Sequence, residues 1–174
     1  MQTKFIIPLC TALIPLIIGA FWYSPNFLGN ASKAAGGLTP QTEEKGHAPW
    51  IYFMTYVFGI FISFFLSRVV IHQYGLLSML ANEPDLHIAG TQLNVAAQQL
   101  LDTYAYNFRS FKHGAMHGTM TGILLVLPTS AIIAMFEKRR WTYVAIHTGY
   151  WIVCLALMGG VLCAFLPTQI LLAK

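Results

Sequence analysis

Charged residues are confined to short stretches of the chain, and four long windows carry none: Lys4 to Lys33, Lys45 to Arg68, Lys112 to Glu137 and Arg140 to Lys174. A helix needs about 20 mostly apolar residues to cross roughly 30 Å of hydrocarbon, and each window is long enough. Trimmed by their flanking aromatic, proline and charged residues, the windows predict membrane-spanning helices at about 5–23, 50–71, 113–136 and 142–166. Pro8 and Pro15 share one face of the first span, and each removes a backbone hydrogen bond, so a kink or a loosened helix is expected there. Pro128 predicts a second kink in the third span. Trp22 and Tyr23 close the first span at the depth amphipathic rings prefer. Arg68 is placed to snorkel from the end of the second.

The connections are unequal. Residues 26–49 read as a loop, with Gly36-Gly37, Pro40 and the Glu43-Glu44-Lys45 cluster as turn and solvent signals. Residues 72–112 are too long a stretch to be structureless. Within them Leu93, Ala96, Ala97, Leu100, Leu101, Tyr104 and Phe108 recur at helical spacing opposite Asn94, Gln98, Gln99, Asp102 and Asn107, predicting an amphipathic helix at about 90–108. It either lies on the membrane surface or packs over the end of the spans. Glu137 to Trp141 is a tight polar turn. The fold expected is all-α: a single domain over 1–174, a four-span transmembrane helical bundle with an extra amphipathic helix between spans two and three.

Small residues indicate how the spans pack. Helices in lipid gain little from burying apolar surface against one another and associate where small residues let backbones approach. Gly114, Gly118 and Gly122 recur every four residues and make one groove. Ala156, Gly160 and Ala164 make a second on span four, and Ala145 with Gly149 begin another. Spans three and four are antiparallel neighbours through their short turn, and the two grooves are expected to meet, with a homodimer contact as the competing use of the glycines. The other spans are expected to pack around span three.

Composition points to lipid as the main solvent: 56% of the 174 residues are hydrophobic and 9% charged, against about 25% charged in a soluble domain. The net charge of +4 reflects loop lysines and arginines rather than a nucleic-acid surface, because no basic run is interleaved with aromatics. The three cysteines, Cys10, Cys154 and Cys163, lie in apolar windows without metal-type spacing and read as small packing residues. The first span runs on to Phe21-Trp22-Tyr23-Ser24-Pro25 with no small-residue cleavage signal, predicting an uncleaved anchor. Basic residues divide equally between the two sides. The dense Lys138-Arg139-Arg140 turn favours loops one and three in the cytoplasm, with both termini outside, in the periplasm.

Histidine is the one residue type that suggests chemistry. His113 and His117 share a helix face, and His72 ends span two on the same side, so the three are candidate ligands for a metal ion. His87 and Asp102 lie in the connection on that side. Zinc peptidases use the same histidine spacing but place a glutamate after the first histidine, where this chain has Gly114. His147 enters span four from the opposite side and should lie about 15 Å from His117 along the membrane normal, which argues against a haem held by that pair. A haem held by His72 and either His113 or His117 stays open. The simpler reading of each histidine is a hydrogen-bonded or solvated interfacial side chain, so no cofactor is predicted outright. No paired carboxylates, Ser-His-Asp set or phosphate-binding glycine loop is evident, and the residues define no enzyme.

Two further stretches carry a resemblance. Gly19-Ala20-Phe21-Trp22-Tyr23-Ser24-Pro25 is followed by Phe27 and Gly29, and Gly149-Tyr150-Trp151 by Leu157-Met158-Gly159, with His113-Gly114 and Gly122 between. Together they resemble the bacterial membrane-protein family known as domain of unknown function 1761. The resemblance implies a small four-span integral protein of the bacterial cytoplasmic (inner) membrane, with no assigned activity and no catalytic residues to carry over. It also implies that Trp22 and Tyr23 approach His147, Tyr150 and Trp151, forming either an aromatic belt or a cluster for a lipid headgroup or small ligand. The expected role is an accessory or structural subunit in the lipid bilayer, packed against other membrane subunits or itself. A small transporter or ligand-binding protein is the first alternative, and a haem or metal protein using His72, His113 and His117 the second.

Overall fold

The computed structural model describes residues 3–37 and 48–167. The Glu43-Glu44-Lys45 cluster and Pro40 lie outside them. Among the described residues the chain is helical, without strands. Four helical stretches are long and apolar enough to cross a membrane: Phe5–Trp22, Pro49–Val70, Phe111–Phe136 and Trp141–Phe165.

The first stretch is two helices, α1 (Thr3–Thr11) and α2 (Ile14–Trp22), where one kinked helix is the simpler expectation. Pro15 has no N–H to give the Thr11 carbonyl, and the chain tightens instead through a 3.1 Å bond from the Leu13 N–H to the Cys10 carbonyl. Ala12 at the break is fully buried. It meets Gly59 of the second span, α4 (Ala48–Val70), where a Cβ would stand 2.7 Å from the Ala12 carbonyl oxygen.

Residues 26–49, read as a loop, contain a further helix, α3 (Gly29–Gly36). A turn folds onto the end of α2 through bonds from the Leu28 N–H to the Trp22 carbonyl and from the Gly29 N–H to the Ser24 carbonyl. The alanines and Lys33 that follow are helix formers, and Gly37 in the left-handed conformation ends the helix. The Arg139 guanidinium donates to the Gly36 carbonyl, joining loops one and three on one side.

The long connection holds more structure than one amphipathic helix. It comprises α5 (Gln73–Leu80), a 3-10 turn (Pro84–His87) and α6 (Gln92–Thr103). α6 therefore ends well before residue 108. Leu86 and Ala97 form a small core with Leu77, Leu80, Leu93 and Leu101. Asn94, assigned to the solvent face, is 1% exposed, and its amide donates to the Leu86 carbonyl at 2.8 Å. That bond is what makes its burial affordable.

The third stretch consists of α7 (Phe111–Thr121), one π turn (Gly122–Val126) and α8 (Leu127–Phe136), so it departs from α geometry one turn before the expected Pro128 kink. The fourth is the unbroken α9 (Trp141–Phe165). It touches α1, α2, α3, α4, α7 and α8 and is the most buried of the four, whereas the third stretch is the least buried. Span four, not span three, is the helix around which the others pack. Span three has one glycine-lined face, while α9 is apolar all round.

The contact between α7 and α9 is backbone against backbone. A Cβ at Gly114 would stand 2.1 Å from the Gly159 carbonyl oxygen, and one at Gly118 would stand 2.0 Å from that of Leu155. Gly122 meets Ile152. The facing line on α9 is thus Ile152, Leu155, Gly159 and Cys163. Ala156 sits beside that line, Gly160 packs on the Phe111 ring, and Ala164 lies half-buried away from the glycines, beside Arg109. Because the glycine groove is filled by the chain's own fourth span, it is not free for a second copy.

Candidate metal centre

The sequence decides where α4 and α7 end, and those ends bring three histidines together. α4 closes on the buried Leu66, Val70 and Ile71, which pack against Leu155, Met158 and Leu162 of α9. His72 follows at the junction with α5. α7 opens at Ser110, whose hydroxyl accepts the His113 N–H at 3.2 Å as an N-terminal cap. His117 lies one turn further on, its carbonyl accepting the Thr121 hydroxyl at 2.9 Å.

Gly159 ties these elements together. A Cβ there would stand 2.4 Å from the Gly114 carbonyl oxygen and 3.4 Å from a Val70 methyl. The residue before Gly114 is His113, and His72 is two beyond Val70. One close backbone contact therefore sets the spacing between the start of α7, which carries His113, and the end of α4, which His72 follows.

The His72 and His113 Nε2 atoms are 2.9 Å apart. Ring centroids are 5.0 Å apart for His72 and His113, 5.0 Å for His72 and His117, and 4.5 Å for His113 and His117. One nitrogen from each ring lies within 4.8 Å of the other two. Three imidazoles bound to one tetrahedral ion at metal–nitrogen distances near 2.0–2.1 Å place their nitrogens roughly 3.4 Å apart, a small adjustment of these rings. His72 is exposed and the other two are half-buried. His87 and Asp102 do not join the cluster.

Four residues around the histidines carry no obvious signal in the sequence. Phe108 has a positive φ of 61°, an uncommon conformation for a bulky residue. Its ring lies 5.0 Å from His113 and 5.9 Å from His72. The buried Cys163 thiol donates to the Phe108 carbonyl at 3.2 Å and the Val70 carbonyl at 3.4 Å, tying the turn to the end of α4. Arg109 donates to the Leu166 carbonyl just past α9, and burial lowers its pKa from the ordinary arginine value. The Gln73 amide nitrogen donates to the Tyr104 and Asn107 carbonyls at 2.9 and 3.1 Å, while its Oε1 is buried without a partner.

At the opposite end the aromatic residues also meet. The Tyr23 hydroxyl is 2.9 Å from His147 Nδ1, the Trp22 indole N–H donates to the Ile146 carbonyl at 3.2 Å, and the Tyr150 hydroxyl donates to the Pro15 carbonyl at 2.8 Å. Trp151 is half-buried with its ring 5.2 Å from that of Tyr150. The polar atoms of Trp22, Tyr23 and Tyr150 all have partners within the chain, so this cluster ties α2 to α9. His147 is engaged here and not with His117.

The fold and its end groups define a class: an all-helical protein with four membrane-span-capable helices and a three-histidine cluster at one end of them. Residues 8–163 match the family described as "protein of unknown function (DUF1761)", and the chain belongs to that family. Neither a curated protein nor a solved structure matches the chain significantly.

Proposed function

We propose that this protein is an integral membrane protein, a four-span bundle that binds one divalent transition-metal ion through His72, His113 and His117. The observation that carries the reading is the convergence of one nitrogen from each of three imidazoles, two on the third span and one just past the end of the second, within 4.8 Å of one another. A three-imidazole donor set without a carboxylate suits zinc, copper, nickel or iron rather than magnesium or calcium. Three protein ligands around a tetrahedral ion leave a fourth position for water or substrate, the arrangement of catalytic rather than structural zinc sites. A bound ion would supply Lewis-acid polarisation and a more acidic water at that position.

With the basic turn after α8 on the cytoplasmic side, the histidines face the outside. Metal analysis of the purified full-length chain tests the proposal: about one equivalent of zinc or copper is expected after loading and desalting, and much less in His113→Ala and His72→Ala. Equal metal in wild type and both variants would overturn it.

A further inference from the structure

A cavity of about 330 Å³ opens beside the histidines, lined by His72, Gln73, Leu76, Leu100, Tyr104 and Phe108 among others. Its size is within the range of small-molecule sites. Two features give it a chemistry. First, His72 is both a wall of the cavity and a member of the metal cluster, so an open coordination position on an ion held there is reachable from the cavity. Second, the walls are almost wholly apolar. Leu93 and Ala97 of α6 pack with Leu86, Leu101 serves both that small core and the cavity, and Leu100 with Tyr104 just past the helix, 46% and 51% exposed, line the cavity.

From these two features we propose that the centre takes an amphiphile, with its metal-coordinating head at His72. Its apolar tail lies against Leu76, Leu100, Tyr104 and Phe108. The proposal rests on the metal reading above and adds the class of ligand to it. Apolar walls select the tail, the ion selects the head, and neither half alone accounts for both features. Phe108, held at its unusual backbone angle by the Cys163 thiol, touches both the histidines and the cavity and sets the passage between them.

The test uses the full-length protein in detergent micelles, loaded with Co²⁺, whose visible absorption reports its coordination. Acetohydroxamate and octanohydroxamate share one chelating, N–H- and O–H-bearing head and differ only in tail. Each is titrated into wild type and Leu100→Gln, a change at a half-exposed position outside the cluster. Because both proteins sit in the same micelles, partition of the longer probe cancels in the comparison. The expected result is octanohydroxamate binding at least five-fold weaker in Leu100→Gln, with acetohydroxamate binding and cobalt loading unchanged. Cobalt loading that depends on His113 but an octanohydroxamate affinity equal in the two proteins would overturn the amphiphile site and leave the metal reading intact. Absence of a cobalt spectrum in wild type would overturn both.

Discussion

Replacing Gly114 by alanine tests how the fold builds the centre. The added methyl would stand 2.1 Å from the Gly159 carbonyl oxygen and 2.4 Å from the Cys163 Cβ. The first obstacle is backbone in the middle of α9 and cannot rotate away. Ordinary contact begins near 3.4 Å, so α7 must retreat from α9 by about 1 Å. Overpacking of this kind costs about 1–3 kcal/mol. The larger effect falls on the three histidines proposed to hold the ion. His113 moves with α7, whereas His72 stays with α4, which is held by its own packing on α9. Metal sites tolerate about 0.2 Å in ligand position, so a retreat of about 1 Å should weaken binding at least ten-fold, or about 1.4 kcal/mol. The assay is a Co²⁺ titration of purified Gly114→Ala alongside a thermal melt followed by circular dichroism. Gly75→Ala is the control. It lies on α5, three residues from His72, and a methyl there meets nothing within 4 Å. It should keep full affinity and gain about 0.4–1 kcal/mol of stability. Wild-type metal affinity in Gly114→Ala, or equal losses in both variants, would refute the link between the glycine contact and the centre.

Two other outcomes are expected. Gly59→Leu should strongly reduce the yield of folded protein, because its side chain would start 2.7 Å from the Ala12 carbonyl where span one breaks; wild-type thermal stability would contradict this. For orientation, a cysteine at the exposed Met79 should react with an impermeant maleimide added to intact cells, and one at the exposed Phe136 should not. The reverse pattern would place the histidines on the cytoplasmic side.

The four spans were legible because charge is excluded from them, a signal that survives any detail of packing. The glycines of α7 were legible for the same kind of reason, since a repeat of the smallest side chain has few other uses in an apolar helix. Which surface they meet was not. Ile152, Leu155 and Cys163 on α9 are ordinary apolar residues; the closest contacts to Gly114 and Gly118 are the backbone carbonyls of Gly159 and Leu155, while Cys163 meets Gly114 through its Cβ and Ile152 meets Gly122 through its side chain. The spacing of His113 and His117 predicts a shared face, and their meeting with His72 depends on where α4 stops, which Ile71 and Val70 decide through burial. Gln73 and Phe108 were invisible as neighbours of the site because each acts through a backbone peculiarity: carbonyls exposed after α6 ends, and a left-handed residue that is not glycine. α3 and α5 were missed because they are eight residues each and carry no clear polar–apolar period.

The π turn at Gly122–Val126, in which the Leu127 N–H reaches back to the Gly122 carbonyl, works as a dislocation in the third span. One additional residue in a turn rotates everything beyond it by about 100° relative to an uninterrupted helix. The half of the span before it is registered on α9 by Gly114 and Gly118, and the half after it by the short turn from Glu137 to Arg140. The two halves are therefore indexed separately, and a misfit introduced near Phe136 is taken up at the dislocation before it reaches His117.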